Sequence, residues 1–250
     1  MSPLEIAGIL GAGVAAGTIN TIVGSGSLIT FPTLLAFGYP AVVANVSNTI
    51  GMATGNASGA YGYRDQLVGQ KGRLIELGAV ALIGGIVGAV LLMTLPADAF
   101  DRIVPILILV AVVLVAIQPR LARWLASHSS QEHERRAPLW LAVFACSVYG
   151  GYFGAAQGVI LIAVLGVLVQ DDLQRLNGAK NMLVMLVNGV AAILFIAIAP
   201  VAWPAVLLLA AGSMVGGQVG ARIGMRIPAP VLRVLIICIG SLVGIRLLVG

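Results

Sequence analysis

The chain is divided into apolar segments of membrane-spanning length, and most of its charged residues lie between them. A helix needs about 20 predominantly apolar residues to cross a bilayer. Eight segments of the 250-residue sequence reach this length: 4–37, 40–62, 74–95, 98–118, 138–170, 173–198, 203–227 and 229–249. Charged residues make up only 9% of the chain, against about a quarter in a soluble domain. We therefore predict an all-α polytopic membrane protein.

Two of these segments are interrupted by small residues. Gly24-Ser25-Gly26-Ser27 divides the first segment, and the fifth is interrupted near 154–158. Glycine permits positive φ and serine competes for backbone hydrogen bonds, so a continuous helix is not expected here. Backbone freed from a helix inside a bilayer is tolerated only where it faces protein or a wet cavity. A ligand site is therefore the leading interpretation of the first break.

The two halves of the chain repeat one another at an offset of 132 residues, the separation of Gly84 from Gly216. Residues 82–96 align without a gap on 214–228, and both copies carry Gly-Gly-x-Val-Gly-Ala and end in proline. The same offset matches three further pairs: Gly26 with Gly158, Asn45 with Asn177, and Asn56 with Asn188. We interpret the glycine runs as close helix packing through small residues. The predicted organisation is a first repeat at 1–118, a polar cytoplasmic linker at 119–137, and a second repeat at 138–250.

The distribution of basic residues favours inverted repeats. If each interrupted segment is a re-entrant hairpin followed by three spanning helices, only Arg102 and Arg246 of the 14 basic residues fall outside. Four full spans in each repeat give a weaker positive-inside bias. Inverted repeats with broken helices near the midplane are a recurrent transporter design. Because residues 4–22 could cross the bilayer unaided, kinked full spans stay open as the alternative.

Amide and hydroxyl side chains form matching stripes beside the two breaks. Asn45, Asn48 and Asn56 share one helix face, and the second repeat carries a similar trio. Lys180 lies deep in an apolar segment, where an ionisable group is a functional hypothesis by default. The predicted substrate-binding residues are Gly24, Ser25, Gly26, Ser27, Asn45, Asn48, Thr49, Gln157, Gly158, Asn177, Lys180 and Asn181. Interhelical hydrogen bonding of the asparagines, and snorkelling of Lys180 or its pairing with Asp171 or Asp172, stay open as structural alternatives.

The chemistry of these groups suits an anion. Helix N-termini near Ser27 and Val159 would carry partial positive charge, and the hydroxyl and amide groups add neutral donors. The carboxylates lie near segment ends or in the linker, where they are not placed to hold a metal ion or a cationic substrate within the membrane. His128 and His133 both lie in the linker, which argues against an intramembrane protease. We therefore expect a protein that is not an enzyme and that uses no cofactor.

Several motifs follow one another in a characteristic order along the chain. They are the Gly-Ser-Gly-Ser-Leu-Ile-x-x-Pro run at 24–32, Ala44-Asn45-x-Ser47-Asn48-Thr49, Arg64 closing the second segment, and the run from Tyr149 to Gly158. In this order they resemble the TauE/SafE sulfite exporter family, also called the toluene-sulfonate uptake permease family. The resemblance implies a bacterial inner-membrane protein that moves sulfite, sulfonates or related sulfur-containing anions. The second copy departs from the family's glycine-rich form at Ala156 and Gln157.

We therefore expect a secondary transporter of a small sulfur-containing anion, such as sulfite, sulfoacetate or another organosulfonate, working by alternating access. The sequence leaves open which anion is preferred and in which direction it moves. Expected partners are this anion, membrane lipid and, for uptake, protons as the coupling ion; nucleic acid is not expected and a homodimer is left open. An anion channel, a transporter of a non-sulfur organic anion, and a membrane subunit without transport stay open as alternatives.

Overall fold

The structure, a computed structural model, describes residues 1–128 and 136–223, together with Val234, Ile237, Cys238, Ser241 and Ile245. The helices in chain order are α1 Pro3–Ile22, α2 Ser27–Ala36, α3 Ala41–Gly62, α4 Lys71–Thr94, α5 Ala97–His128, α6 Arg136–Tyr152, α7 Gln157–Leu168, α8 Leu173–Ile198 and α9 Trp203–Ile223, with a 3₁₀ turn at Arg64–Leu67. The predicted all-α class is confirmed over these residues. The predicted segment 229–249 lies almost wholly outside them.

Five of the described helices are long and apolar enough to cross a membrane, namely α1, α4, α5, α8 and α9. By contrast, α2 and α7 have only 10 and 12 residues. At about 1.5 Å rise per residue they are far shorter than the roughly 30 Å hydrocarbon core. Each predicted interruption is thus a real break between a longer helix and a short one. Because α1 is long enough to span on its own, a re-entrant path for α1 and α2 stays a prediction.

Two pairs of helices begin 132 residues apart, the offset seen in the sequence. The starts of α3 and α4, at Ala41 and Lys71, correspond to those of α8 and α9, at Leu173 and Trp203. Four of the most extensive contacts among the described helices form two matched couples: α1 packs on α9 as α6 packs on α4, and α3 packs on α9 as α8 packs on α4. Helices α3 and α8 also contact each other. The relative orientation of the two units, parallel or inverted, stays a prediction.

The glycine runs lie at the tightest of these helix contacts. A Cβ on Gly88 of α4 would come within 2.0 Å of the carbonyl oxygen of Val148 in α6, and one on Gly216 of α9 within 2.1 Å of that of Val14 in α1. No side chain fits at either position, so the backbones themselves are in contact. This agrees with the packing role predicted for the repeated Gly-Gly-x-Val-Gly-Ala run.

The predicted polar linker is partly helical. Helix α5 continues to His128 and α6 begins at Arg136, so both helices extend into 119–137. Residues 129–135 of the linker lie outside the described part of the chain. A solvated linker between the two repeats therefore stays a prediction.

Candidate substrate site

The two helix breaks meet in the structure. The amide of Gly158, at the start of α7, donates a hydrogen bond to the carbonyl oxygen of Gly24, between α1 and α2, at 3.1 Å. A Cβ on either glycine would lie 2.5 Å from the Cα of the other. Only glycine at both positions permits this approach. We call the segments 24–27 and 154–158 the tips.

The backbone of the two tips has a left-handed residue at the same repeat position. Gly24 has φ of +89° and Ala156, at the matching place in the second half, has φ of +58°. Ala156 is the one non-glycine residue with positive φ among the described residues. This conformation costs a residue with a Cβ about 1–2 kcal/mol. The second tip thus keeps the geometry of the first although it lacks the equivalent glycine.

Each left-handed residue is followed by a buried polar side chain, Ser25 in the first tip and Gln157 in the second. Both side chains are only 1% exposed. Within the described part of the chain, neither the Ser25 hydroxyl nor either amide atom of Gln157 has a hydrogen-bond partner. Most buried polar atoms in proteins are hydrogen-bonded, and leaving one unpaired costs about 1–3 kcal/mol. Two such groups at one repeat position therefore indicate a place built for a polar ligand.

More unpartnered polar atoms lie on the helices that border the tips. They are Asn45 Oδ1, Asn56 Nδ2, Ser147 Oγ and Tyr152 Oη. The opposite flank is apolar, because the ring of Phe31 in α2 packs edge-on against that of Phe153 at 5.3 Å between centroids. Phe100 of α5 contacts Phe153 and Tyr152. The polar atoms are thus grouped beside an aromatic wall.

Lys180 lies at the C-terminal end of α1 rather than beside an acidic side chain. Its ammonium donates to the carbonyl oxygens of Asn20 and Thr21 at 3.3 and 3.1 Å, and it is 1% exposed. Asn181 Nδ2 adds a third donor to Thr21 O at 3.2 Å. The last carbonyls of a helix have no partner within it, so this pair caps α1. Of the predicted alternatives for Lys180, pairing with Asp171 or Asp172 is not what the structure contains.

The first repeat supplies the reciprocal cap. Asn45 of α3 donates from Nδ2 to the carbonyl oxygen of Tyr152, the last residue of α6, at 2.9 Å. Side chains of α3 and α8 therefore each cap the helix that precedes the tip in the other half of the chain.

Two of the remaining predicted residues, Asn48 and Gly26, join the first tip to neighbouring helices. Asn48 Nδ2 donates to Ser27 Oγ at 3.2 Å, and Asn48 Oδ1 accepts from Thr30. The Gly26 amide donates to Asn20 Oδ1 at 3.2 Å. The amides of Gly26 and Gly158, both predicted ligand donors, are thus already paired within the protein. Thr49 is buried and Asn177 is 9% exposed, on α3 and α8 respectively.

Asn20 and Tyr152 border the tips but are absent from the predicted set. Asn20 accepts from Gly26 and donates from Nδ2 to Asn56 Oδ1 at 2.6 Å. Tyr152 presents its carbonyl to Asn45 and keeps a buried hydroxyl. They occupy the same repeat position, since 20 and 152 differ by the 132-residue offset. A search for polar residues at matched positions just before each break would have found both.

The helix ends around the tips carry partial charges of opposite sign. The C-terminal carbonyls of α1 and α6 carry partial negative charge. Lys180 and Asn181 donate to those of α1, and Asn45 donates to that of α6. The N-termini of α2 and α7 carry partial positive charge and begin at the tips. Within the described residues no group of three His, Cys, Asp or Glu side chains could hold a metal ion. The positive rather than the negative ends of the broken helices thus lie at the tips.

Comparison with known proteins agrees with this architecture. The family model for the sulfite exporter TauE/SafE matches residues 9–247, nearly the whole chain. The chain belongs to the TauE/SafE family. The resemblance inferred from the sequence motifs is thereby confirmed, and the protein is a multi-pass membrane transporter of this family.

Individual TauE/SafE relatives are similar along most of their length. The probable membrane transporter YfcA of Escherichia coli K12 is 25% identical over 253 residues, covering 99% of this chain and 91% of that protein. The probable membrane transporter ORF9 of Sinorhizobium is 25% identical and covers 95% and 90%. A probable membrane transporter of Haemophilus influenzae is 27% identical and covers 85% and 82%. No solved structure matches the chain.

Two polar clusters of this TauE/SafE protein are centred on residues between helices, Asp171 and Tyr39. Asp171, between α7 and α8, accepts from Arg73 Nη1 at 2.8 Å and from Arg175 Nε at 2.7 Å. Burial opposes ionisation of Asp171, but these hydrogen bonds outweigh it and hold its pKa below the usual value. Before α3, the Tyr39 hydroxyl donates to Glu5 at 2.8 Å, and burial together with that carboxylate raises the pKa of Tyr39 to about 12.

Proposed function

We propose that this protein is a secondary transporter that moves a small sulfur-containing anion, such as sulfite, sulfoacetate or another organosulfonate, across the bacterial inner membrane. The substrate binds where the two tips meet, and transport proceeds by alternating access. The observation that carries the proposal is the pair Ser25 and Gln157, buried and unpartnered at one repeat position.

The preference for an anion rests on how the charges of the broken helices are distributed. Side chains from the opposite half donate to the negative ends of α1 and α6. The positive ends of α2 and α7 begin at the tips, beside the unpartnered Ser25 hydroxyl and Gln157 amide. Hydroxyl and amide groups can donate to oxyanion oxygens without the desolvation cost of a second full charge. A small sulfonate or sulfite group matches this set of donors.

Energetics favour export of such an anion over uptake. An inside-negative potential contributes about 2.3 kcal/mol per charge per 100 mV toward the exit of an anion. Uptake against the same potential requires a coupled cation, for which a proton is the simplest candidate. The direction of net transport in vesicles therefore depends on the imposed potential.

Flux into proteoliposomes tests the proposal. Labelled sulfite and sulfoacetate should enter saturably, with sulfate and acetate as comparison anions. Ser25→Ala removes one unpartnered hydroxyl and should lower flux by about tenfold, the value of one charge-assisted hydrogen bond of roughly 1.4 kcal/mol. Ser58→Ala is the matched control, because its hydroxyl donates to Met214 O at 2.8 Å between α3 and α9. That variant should keep wild-type flux.

Counterflow separates the transporter from a channel. Vesicles preloaded with unlabelled sulfite should accumulate labelled sulfite transiently if the site alternates between the two faces. Absence of saturable flux for every sulfur anion would contradict the proposal, as would equal flux in the Ser25→Ala and Ser58→Ala variants with both below wild type.

A further inference from the structure

A polar cavity lies where three helices begin, and none of the tip residues lines it. It has a volume of about 370 Å³ and is lined by Gln70, Arg73, Glu76, Arg136, Asp171 and Arg175, among others. We call it the arginine pocket. The first turns of α4, α6 and α8 all contribute to its lining. Spanning helices begin near the membrane surface, so the pocket lies at headgroup depth.

Charge in the arginine pocket is positive and partly fixed in position. Three guanidinium groups from three different helices face two carboxylates, those of Asp171 and Glu76. Asp171 accepts from both Arg73 and Arg175, which orients their planar forks. Three guanidinium charges against two carboxylate charges leave the pocket with a net positive charge. The partial positive charge of three helix N-termini adds to the excess.

Arg136 is the member of the pocket that the ion-pair network leaves exposed. It is the first residue of α6, is exposed, and lines the cavity. Nearby, Trp140 donates from Nε1 to Glu76 at 2.6 Å and is 40% exposed. An exposed tryptophan whose indole N–H is held at one polar edge is typical of the membrane–water interface. The pocket therefore combines basic groups with an interfacial anchor.

We propose that the arginine pocket is a second anion site, which binds a phosphate group supplied by the headgroup of an anionic phospholipid. Basic pockets between helices at the membrane surface suit such headgroups because guanidinium groups bind phosphate oxygens in a bidentate manner. Headgroups are also the phosphate source most concentrated at this depth. The proposal does not depend on which anion the tips bind.

Lipid-dependent stability of the purified full-length protein tests the proposal. Delipidated protein in detergent is titrated with phosphatidylglycerol, with zwitterionic phosphatidylcholine, and with inorganic phosphate. We expect phosphatidylglycerol to raise the thermal unfolding temperature more than phosphatidylcholine does, and inorganic phosphate to have little effect. Arg136→Gln should weaken the apparent affinity for phosphatidylglycerol by roughly tenfold.

Arg64→Gln is the matched control, because this exposed arginine does not line the pocket. It should retain the wild-type response to phosphatidylglycerol. Equal responses to the two lipids would overturn the proposal, as would equal losses in the Arg136→Gln and Arg64→Gln proteins. A stabilisation by inorganic phosphate or sulfite that Arg136→Gln removes would reassign the pocket to a soluble anion and overturn the lipid assignment.

Discussion

Replacing Gln157 by leucine should make the protein more stable and transport worse. The side chain is 1% exposed, and both polar atoms of its amide lack a partner within the described chain. Each unpaired buried polar atom costs about 1–3 kcal/mol, and a nearly isosteric apolar group removes that cost. Imperfect fit against Gly150, whose surface the side chain covers, should cost less than about 1.5 kcal/mol. For two such atoms the expected net gain is at least about 0.5 kcal/mol.

Thermal unfolding in detergent measures this gain. For a chain of this size, a change of 1 kcal/mol shifts Tm by about 2–4 °C. Cys146 is buried, so a thiol-reactive dye reports its exposure on unfolding, and a Cys238→Ser background removes the exposed thiol. Transport of sulfite by the Gln157→Leu protein should fall to the level of empty vesicles.

Gln218→Leu is the control for an amide that has structural partners. Gln218 Nε2 donates to Ser58 O at 2.9 Å and to Ser58 Oγ at 3.0 Å, which joins α9 to α3. Its loss should destabilise the protein by about 0.6–1.7 kcal/mol, the range for hydrogen bonds between membrane helices, and should leave transport intact. A destabilised Gln157→Leu protein with unchanged transport would refute the reasoning, since Gln157 would then be a structural residue.

Three further changes test the tips and the ion-pair network. Gly158→Ala forces a Cβ to 2.5 Å from Gly24 Cα and should lower the free energy of unfolding by about 1–3 kcal/mol, measured by thermal unfolding. In the control Gly166→Ala, on the same helix, the new Cβ meets nothing within 4 Å, so this variant should be neutral or stabilising. Ala156→Gly relieves the strain of the left-handed conformation at φ +58° and should raise the free energy of unfolding by about 1 kcal/mol. A less stable Ala156→Gly protein would show that this conformation is not strained. Asp171→Asn should destabilise by about 1.5–3 kcal/mol at pH 7. Folding lowers the pKa of Asp171, so that stabilisation is present above the pKa in the unfolded chain, about 3.9, and is lost as the pH falls further. The melting curves of the wild type and of Asp171→Asn should therefore converge in acid.

Hydropathy and small-residue interruptions were sufficient to predict the helices. The segment predicted at 173–198 coincides with α8, and the break at 24–27 separates α1 from α2 as expected. These predictions succeed because membrane length and backbone hydrogen bonding are local constraints that a sequence displays directly. The repeat offset was also visible, since glycine is required wherever two helix backbones touch, as at Gly88 and Gly216.

The roles of individual side chains were harder to predict from the sequence, because they depend on which helix ends face one another. The structure shows that the Lys180 ammonium caps the carbonyl end of α1. Its contribution of charge to the ligand site stays a prediction. Nothing in the spacing of α8 shows that Asn20 and Thr21 lie opposite. The same holds for Asp171, whose partner Arg73 is distant in sequence and meets it only through the packing of α4 on α8.

Ligand binding to the purified protein tests the central claim most directly, namely that the paired tips bind a small sulfur-containing anion. Sulfite, thiosulfate and sulfoacetate are compared with acetate in thermal shift experiments on the wild type and on a Ser25→Ala/Gln157→Leu double variant. At about 100 times its Kd, a true ligand adds roughly 2.7 kcal/mol to stability. We predict this shift for at least one sulfur anion in the wild type and its loss in the double variant. The same shift in both proteins, or none with any sulfur anion, would contradict the account.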